Sequence, residues 1–160
     1  MTMPTKVVSR LTQFFLVALT VVAVAGFARA GDVALVSLKN SRVAAINSSD
    51  LAKIIKTTHK WNDGGDLVVV LTDPSSPEMR VVAEKLLSLS AAEFRMAIAA
   101  ANKARLIFMV VSNDDEALKV LQANPAAIAL VNVYSINSSI DVWKIDGRLP
   151  LEPTYILHSR

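Results

Sequence analysis

Residues 73–87 contain the residue types best suited to binding an anion. Two hydroxyl residues, Ser75 and Ser76, precede a proline and a helical pattern of apolar residues, which is typical of a capped helix start. The N-terminus of a helix offers backbone N–H groups and the positive end of the helix dipole, both of which suit an oxyanion. Arg80, one turn into this helix, could add a forked guanidinium donor. The segment therefore predicts a capped helix and, as a second interpretation, an anion site at Ser75, Ser76 and Arg80.

Asp73 stands directly before this turn and has two interpretations. As a turn-forming aspartate before Pro74, it would serve the backbone only. As a ligand, its carboxylate would repel a fully ionised anion but could accept the proton of a monohydrogen oxyanion. Asp73 is therefore the fourth candidate residue for the anion site.

The remaining polar residues do not predict catalysis. His59 and His158 are the only histidines, and neither has a spacing that is typical of metal ligands. The chain has no cysteine and therefore no thiol chemistry. Residues 114–116 are acidic, but they fall in the first turn of a predicted helix, where negative charge interacts favourably with the dipole. No glycine-rich phosphate loop, dinucleotide fingerprint or nucleophile motif is present. We expect no enzyme activity, no cofactor and no bound metal.

The first thirty residues have the pattern of a secretory signal peptide. Lys6 and Arg10 form a basic start, residues 14–26 are apolar, and residues 28–30 read Ala-Arg-Ala, a small-x-small cleavage pattern. The apolar run is shorter than the roughly 20 residues of a membrane-spanning helix. We expect cleavage after Ala30 and a periplasmic location without stable membrane insertion; an uncleaved anchor is the alternative.

Charge distribution excludes nucleic acid as an expected partner. The chain has 17 Lys and Arg against 14 Asp and Glu, a formal charge of +3. Three of the basic residues lie in the first thirty, which contain no acidic residue, so residues 31–160 are formally neutral. A neutral domain gives no electrostatic support for binding nucleic acid. Residues 31–160 have the length of one domain.

Apolar and capping patterns predict alternating strands and helices in residues 31–160. Strands are predicted at residues 33–38, 66–71, 106–111 and 127–133, and an edge pair or hairpin at 141–145 before an Asp-Gly turn. Helices are predicted from a cap at residues 48–50, over 77–89, from Ser90 to Lys103, and from a cap at 112–115 to Asn124. Residues 56–65 are predicted to be a loop. This alternation predicts an α/β three-layer sandwich with a mixed, largely parallel sheet.

Four segments of the chain resemble, in the same order, segments of periplasmic phosphate-binding proteins of ABC transporters. Residues 51–55 and 61–63 resemble that family's L-x-x-I-F/Y-x-G…W-N-D segment. The stretch with Ser76-Pro77 and Arg80 is similar to its G-S-x-x-R-x-x-F segment. Residues 124–131 look like its t-P-G-A-I-G-Y-V segment, and 145–147 like its closing turn.

The resemblance implies one lobe of a type 2 periplasmic-binding-protein fold and an oxyanion ligand. Ser76 and Arg80 match the hydroxyl and guanidinium of the family's phosphate-binding turn, whereas Ser75, Ala126 and Ala129 stand where the family has glycines. The implied function is that of an exported, non-catalytic solute-binding protein that binds inorganic phosphate for uptake or sensing. The alternative is a structural or interaction module of the cell envelope that has lost the ligand and binds an envelope partner or a second copy of itself.

Overall fold

The structure is a computed structural model that describes residues 31–40, 45–61 and 63–159. The predicted signal peptide, residues 1–30, therefore lies outside the described residues. None of the helices in the described part has the length and apolar character needed to cross a bilayer.

A five-stranded sheet forms the centre of the fold. Its strands, in chain order, are β1 (Val33–Leu38), β3 (Val69–Leu71), β4 (Phe108–Val110), β5 (Ile128–Asn132) and β6 (Ile140–Val142). In space the order is β4-β3-β5-β1-β6. The β3 strand pairs in parallel with both β4 and β5, whereas β1 runs antiparallel to β5 and β6. Four strands thus point one way and β1 points the other, which confirms the predicted mixed, largely parallel sheet.

Helices cover both faces of this sheet. Their bounds are α1 (Ser48–Lys53), continued by a π-helix (Ile54–Thr58); α2 (Pro77–Val81), continued by a π-helix (Val82–Leu86); α3 (Ala91–Ala101); and α4 (Asp114–Ala123). Only α4 packs on the face that presents Ala34, Val36 and Val70, while the other helices pack on the face that presents Leu35 and Leu71. Helix, sheet and helix make three layers, as the sequence predicts.

The apolar strand sequences explain why the sheet is buried on both faces. Residues 128–131 of β5 and 33–37 of β1 are all buried, so side chains of alternating direction enter different cores.

Capping residues set the helix starts. The predicted capping box is confirmed at α3, where the Ser90 hydroxyl accepts from the Glu93 N–H and the Glu93 carboxylate accepts from the Ser90 N–H. The Ser90 N–H and hydroxyl lower the pKa of Glu93.

The start of α1 differs from the prediction. Ser48 is the first helical residue rather than the cap, and the cap position is Asn47, whose side chain makes no capping bond. The Ser48 N–H instead donates to Asp146 Oδ1 at 2.8 Å, across 98 residues of sequence. The start of α1 is therefore capped by a carboxylate that is distant in sequence, and not by the local hydroxyl that was predicted.

The predicted loop at residues 56–65 also begins later than expected. The helix continues through Thr58 because Ile54 and Ile55 are buried in the core, and it ends at His59 with φ +52°.

Residues 141–145 do not form one strand. Lys144–Ile145 (β7) pairs instead with Ala45–Ile46 (β2) in a separate parallel pair, with the buried Trp143 between β6 and β7. The predicted Asp-Gly turn is present, with positive φ at both Asp146 and Gly147.

Candidate functional site

A cleft of about 480 Å³ opens at the carboxyl ends of β3 and β5. In open α/β sheets this edge is where ligands bind. The lining residues come from the turn after β3, the start of α2, the turn after β4, the start of α4 and the end of β5. They are Thr72, Asp73, Ser76, Glu78, Met79, Ser112, Asn113, Asp114, Asp115, Leu130, Asn132 and Ser135.

The first wall of the cleft is the turn that leads into α2. Asp73 Oδ1 accepts from the Ser75 N–H at 2.8 Å and from the Ser75 hydroxyl at 2.7 Å. The Ser76 hydroxyl accepts from the Met79 N–H at 3.2 Å and so caps the helix as predicted. The backbone and hydroxyl hydrogen bonds from Ser75, with a smaller contribution from Arg95, lower the pKa of Asp73. Asp73 is therefore an ionised acceptor at neutral pH.

The second wall is the start of α4. Asn113 caps this helix, since its Oδ1 accepts from the Glu116 N–H at 2.9 Å. Glu116 in turn reaches back, and its Oε2 accepts from the Ser112 N–H at 2.9 Å. The two helix starts therefore face the same cleft with their capping groups already hydrogen-bonded.

Asp114 joins the second wall to the end of the sheet. Its Oδ2 accepts from the Asn132 N–H at 2.9 Å and from the Ser135 hydroxyl at 2.6 Å. Asn132 Oδ1 then accepts from the Tyr134 N–H at 3.0 Å and turns the chain out of β5. The sequence interpretation of Asp114 as a first-turn helix residue is correct. Its side chain also links α4 to two other residues that line the cleft, Asn132 and Ser135.

In the first turns of α2 and α4, three backbone N–H groups remain available among the described residues. The N–H groups of Ser75, Ser76 and Met79 are engaged locally, and Pro77 has none. The N–H groups of Glu78, Asp114 and Asp115 have no hydrogen-bond acceptor within residues 31–40, 45–61 and 63–159. Unpaired N–H groups in a first helical turn are the donors that bind oxyanions.

The side chains around these donors are acidic. Asp73, Glu78, Asp114 and Asp115 line the cleft, and no Lys, Arg or His is among its lining residues. A fully ionised anion would meet repulsion from these carboxylates, whereas a ligand with protons to donate would meet acceptors. The cleft thus combines a few N–H donors with an excess of carboxylate acceptors.

The four sequence-predicted site residues do not all reach the cleft. Asp73 and Ser76 line it. Ser75 is exposed and acts on the cleft through Asp73, to which it donates both of its hydrogen bonds. Arg80 is exposed and lies outside the lining set.

Several lining residues were not among the sequence-predicted site residues, notably Glu78, Asn113, Asn132 and Ser135. A usable signal was present, because polar residues stand at or just beyond the end of three of the parallel strands: residues 72–73 after β3, 112–113 beyond β4, and Asn132 at the end of β5. The carboxyl ends of parallel strands meet at one edge of a sheet, so these polar residues had to converge.

Both histidines lie away from this cleft. His158 packs on Asp32, with 2.8 Å between Nδ1 and Oδ1, and His59 ends the first π-helix. Among the described residues, no group of three or more His, Cys, Asp or Glu side chains is arranged to hold a metal ion.

Solved structures of phosphate-binding proteins share this fold. An ABC-type phosphate transport receptor from Vibrio cholerae superposes with a TM-score of 0.60 at 17% identity, over 79% of this chain and 53% of that chain. PstS from Borrelia burgdorferi gives 0.59 at 15% identity, over 79% and 54%. A protein from Clostridium perfringens with bound phosphate, assigned as a phosphate ABC transporter substrate-binding protein, gives 0.59 at 18%, over 73% and 46%. The chain has a phosphate-binding-protein-like fold.

The match covers only part of each of these proteins. The chain spans about half the length of the solved structures that it matches, with 46–54% of those chains covered. No protein-family model matches the sequence, and no curated protein is similar to it. The likeness therefore concerns the path of the backbone, and it agrees with the predicted resemblance to part of a phosphate receptor.

Proposed function

We propose that this protein is an exported, non-catalytic solute-binding domain that binds inorganic phosphate in the cleft between α2 and α4. The observation that carries the proposal is that Glu78, Asp114 and Asp115, whose N–H groups are available, line one cleft together with Asp73. Phosphate oxygens would accept from the N–H groups, and a phosphate hydroxyl would donate to Asp73.

The acidic lining gives this site its selectivity. At neutral pH inorganic phosphate still carries protons, whereas sulfate carries none. Asp73 Oδ1 is occupied by Ser75, and Oδ2 accepts no hydrogen bond within the described residues, so it is free to accept one from a phosphate hydroxyl. Sulfate would leave these acceptors unpaired and would add its full charge to theirs, which disfavours it strongly.

Export and phosphate uptake complete the proposed role. The pattern of residues 1–30 supports secretion to the periplasm, and the shared fold supports a place beside a phosphate transporter or sensor. Because the cleft is open on one side and the chain matches half of a receptor, we expect weaker binding than a two-lobed receptor would give.

Amide chemical shifts test where phosphate binds. The processed protein, secreted from a bacterial host and labelled with ¹⁵N, is titrated with inorganic phosphate. We expect saturable shifts at the amides of Glu78, Asp114 and Asp115, with the amides at the start of α3 as the internal control, since Ser90 and Glu93 cap that helix in the same way away from the cleft. Shifts spread evenly over both sets, or none at all, would overturn the proposal.

A second function, that of an interaction module, is favoured by one observation at the rim of the cleft. Tyr134 is 83% exposed in the turn that also contains the lining residue Ser135. Exposed tyrosines are common anchors of protein interfaces. An envelope partner or a second copy that covers the cleft would bury Tyr134. Sedimentation of the Tyr134→Ala variant against the unchanged protein would reveal a self-association that depends on this residue.

A further inference from the structure

The nitrogen of Gly31 lies beside the cleft, next to one of its carboxylates. It donates a hydrogen bond to Glu78 Oε1 over 3.3 Å, and the two residues are 47 positions apart in sequence. Glu78 is the second residue of α2 and lines the cleft. Gly31 is also the residue that directly follows the predicted cleavage position, Ala30.

The neighbouring residues hold this nitrogen in place. The Asp32 carbonyl accepts from the Val133 N–H at 3.0 Å, and the Val33 N–H donates to the Leu157 carbonyl at 3.2 Å. The Asp32 carboxylate accepts from the Ser159 N–H at 2.9 Å and from the Ser159 hydroxyl at 3.1 Å. The chain is therefore fixed from Asp32 onward by bonds that do not involve residues 1–30.

Gly31 is also packed so closely that it has no room for a side chain. A Cβ atom at this position would lie 2.1 Å from Nδ2 of Asn132. The Asn132 side chain cannot move away freely, because its Oδ1 accepts from the Tyr134 N–H and the residue lines the cleft. A glycine fits this place, and a residue with a side chain does not.

We propose that removal of residues 1–30 converts the Gly31 nitrogen into an α-ammonium that forms an ion pair with Glu78, and that this ion pair is part of the phosphate site. The inference rests on the proposed export and function. In the processing step, an envelope peptidase uses water to hydrolyse the Ala30–Gly31 peptide bond. Ala30 keeps the hydroxyl as its carboxylic acid, and the Gly31 amine takes the proton and is protonated again at neutral pH.

The new charge changes the electrostatics of the cleft. Before processing, the Gly31 amide is neutral and the lining has carboxylates only. After processing, the ammonium would neutralise Glu78, and Gly31 packs against the side chain of Asn132, the residue whose N–H donates to Asp114. The carboxylate next to it in the chain, Asp32, is already engaged by Ser159 and by His158. The precursor would thus bind phosphate more weakly than the mature protein.

The pKa of the Gly31 amine tests the ion pair directly. The full precursor is expressed with export, the N-terminus of the processed protein is identified by mass spectrometry, and the amine is titrated by NMR. An ordinary α-amino pKa is about 7.7–8.0. Pairing with Glu78 should raise it by about half a unit to one unit. The Glu78→Gln variant should lose this increase, and Glu84→Gln, an exposed glutamate further along the same helical segment, should keep it.

A second readout separates the ion pair from the proposed function. Transamination of the N-terminal glycine replaces the ammonium with a neutral carbonyl and leaves the lysines intact. Phosphate affinity should fall several-fold after this treatment. An ordinary amine pKa, a pKa insensitive to Glu78→Gln, or a processed N-terminus other than Gly31 would overturn the ion pair. A raised pKa without any phosphate binding would keep the ion pair and overturn the proposed function.

Discussion

The Asp114 carboxylate accepts a hydrogen bond from the backbone N–H of Asn132 over 2.9 Å. This contact joins the first residue of α4 to the last residue of β5, 18 positions further along the chain. It holds the helix start against the end of the sheet, and both residues line the cleft. The Asp114 carboxylate thus interacts with the helix dipole, accepts a hydrogen bond at the end of β5 and lines the candidate site.

Substitution of Asp114 tests this structural role. Asp114→Ala would leave the partly buried Asn132 N–H without its acceptor, so we expect a loss of about 1–3 kcal/mol in the free energy of unfolding. Asp115→Ala is the matched control, because Asp115 is exposed on the same first turn and would lose only its interaction with the dipole, about 0.3–1 kcal/mol. Urea unfolding of the two variants measures the difference. Equal losses would argue against the role of the Asn132 contact.

Arg80 is the basic residue that the sequence predicts for the site. The loss of phosphate affinity on its substitution shows whether it contacts the ligand directly or acts only through its charge. Because Arg80 is exposed and outside the lining, we expect Arg80→Ala to weaken phosphate binding by less than about 1 kcal/mol, in a manner that added salt screens. A direct charge-assisted hydrogen bond would instead cost about 1.5–3 kcal/mol and depend little on salt. Titration at low and high ionic strength distinguishes the two. Lys119→Ala, an exposed cation on α4, is the control.

The buried hydrogen bond between Trp143 and Ser37 should contribute measurably to stability. The indole N–H donates to the Ser37 hydroxyl at 2.8 Å, and Ser37 is 1% exposed. Ser37→Ala would leave this donor unpaired, and we expect a loss of about 1–3 kcal/mol. In the Ser37→Ala/Trp143→Phe double variant, the two losses should not add, because the second substitution removes the unpaired donor. Strict additivity in urea unfolding would show that the hydrogen bond contributes nothing.

The contact of Asp32 with the C-terminal segment should make stability depend on pH. Burial raises the pKa of the Asp32 carboxyl, but hydrogen bonds from Ser159 and the interaction with His158 outweigh burial and hold the pKa below its usual value. Because the folded pKa lies below that of the unfolded chain, about 3.9, the carboxylate stabilises the fold above about pH 4. This contribution is lost as pH falls through the folded pKa.

Thermal unfolding between pH 2.5 and 6 measures this effect. The Asp32→Asn variant should be less stable than the unchanged protein at pH 6, and the difference should shrink as the pH falls to 2.5. Asp115→Asn, an exposed aspartate in the first turn of α4, is the control. A difference between Asp32→Asn and the unchanged protein that is constant with pH would contradict the proposed linkage.

The sequence predicts those parts of the fold that local patterns determine. The bounds of β1 match the prediction residue by residue, and the caps at Ser76, Ser90 and Asn113 lie where hydroxyl and amide residues precede apolar helices. Features that depend on distant residues were missed. The start of α1 is held by Asp146, and the separation of β6 from β7 follows the burial of Trp143 against Ser37.

For the candidate site, too, the sequence predicts the residues next to a local pattern and misses those whose position depends on distant parts of the chain. Asp73 and Ser76 were found because they stand beside a strong local signal, the strand-to-helix turn. Glu78, Asn132 and Ser135 were missed because their place in the cleft depends on which strands are neighbours. Arg80 matched a motif, yet it is exposed and is not among the lining residues. Spacing along one helix could not show that the other half of the cleft comes from α4.

Calorimetric titration of the processed protein with inorganic phosphate, and with sulfate as the control, tests the central proposal most directly. We expect saturable heat with phosphate at neutral pH and none with sulfate at the same concentrations, since only phosphate can donate protons to the carboxylates of the cleft. No heat with phosphate from a protein that circular dichroism shows to be folded, or equal affinity for sulfate, would contradict it.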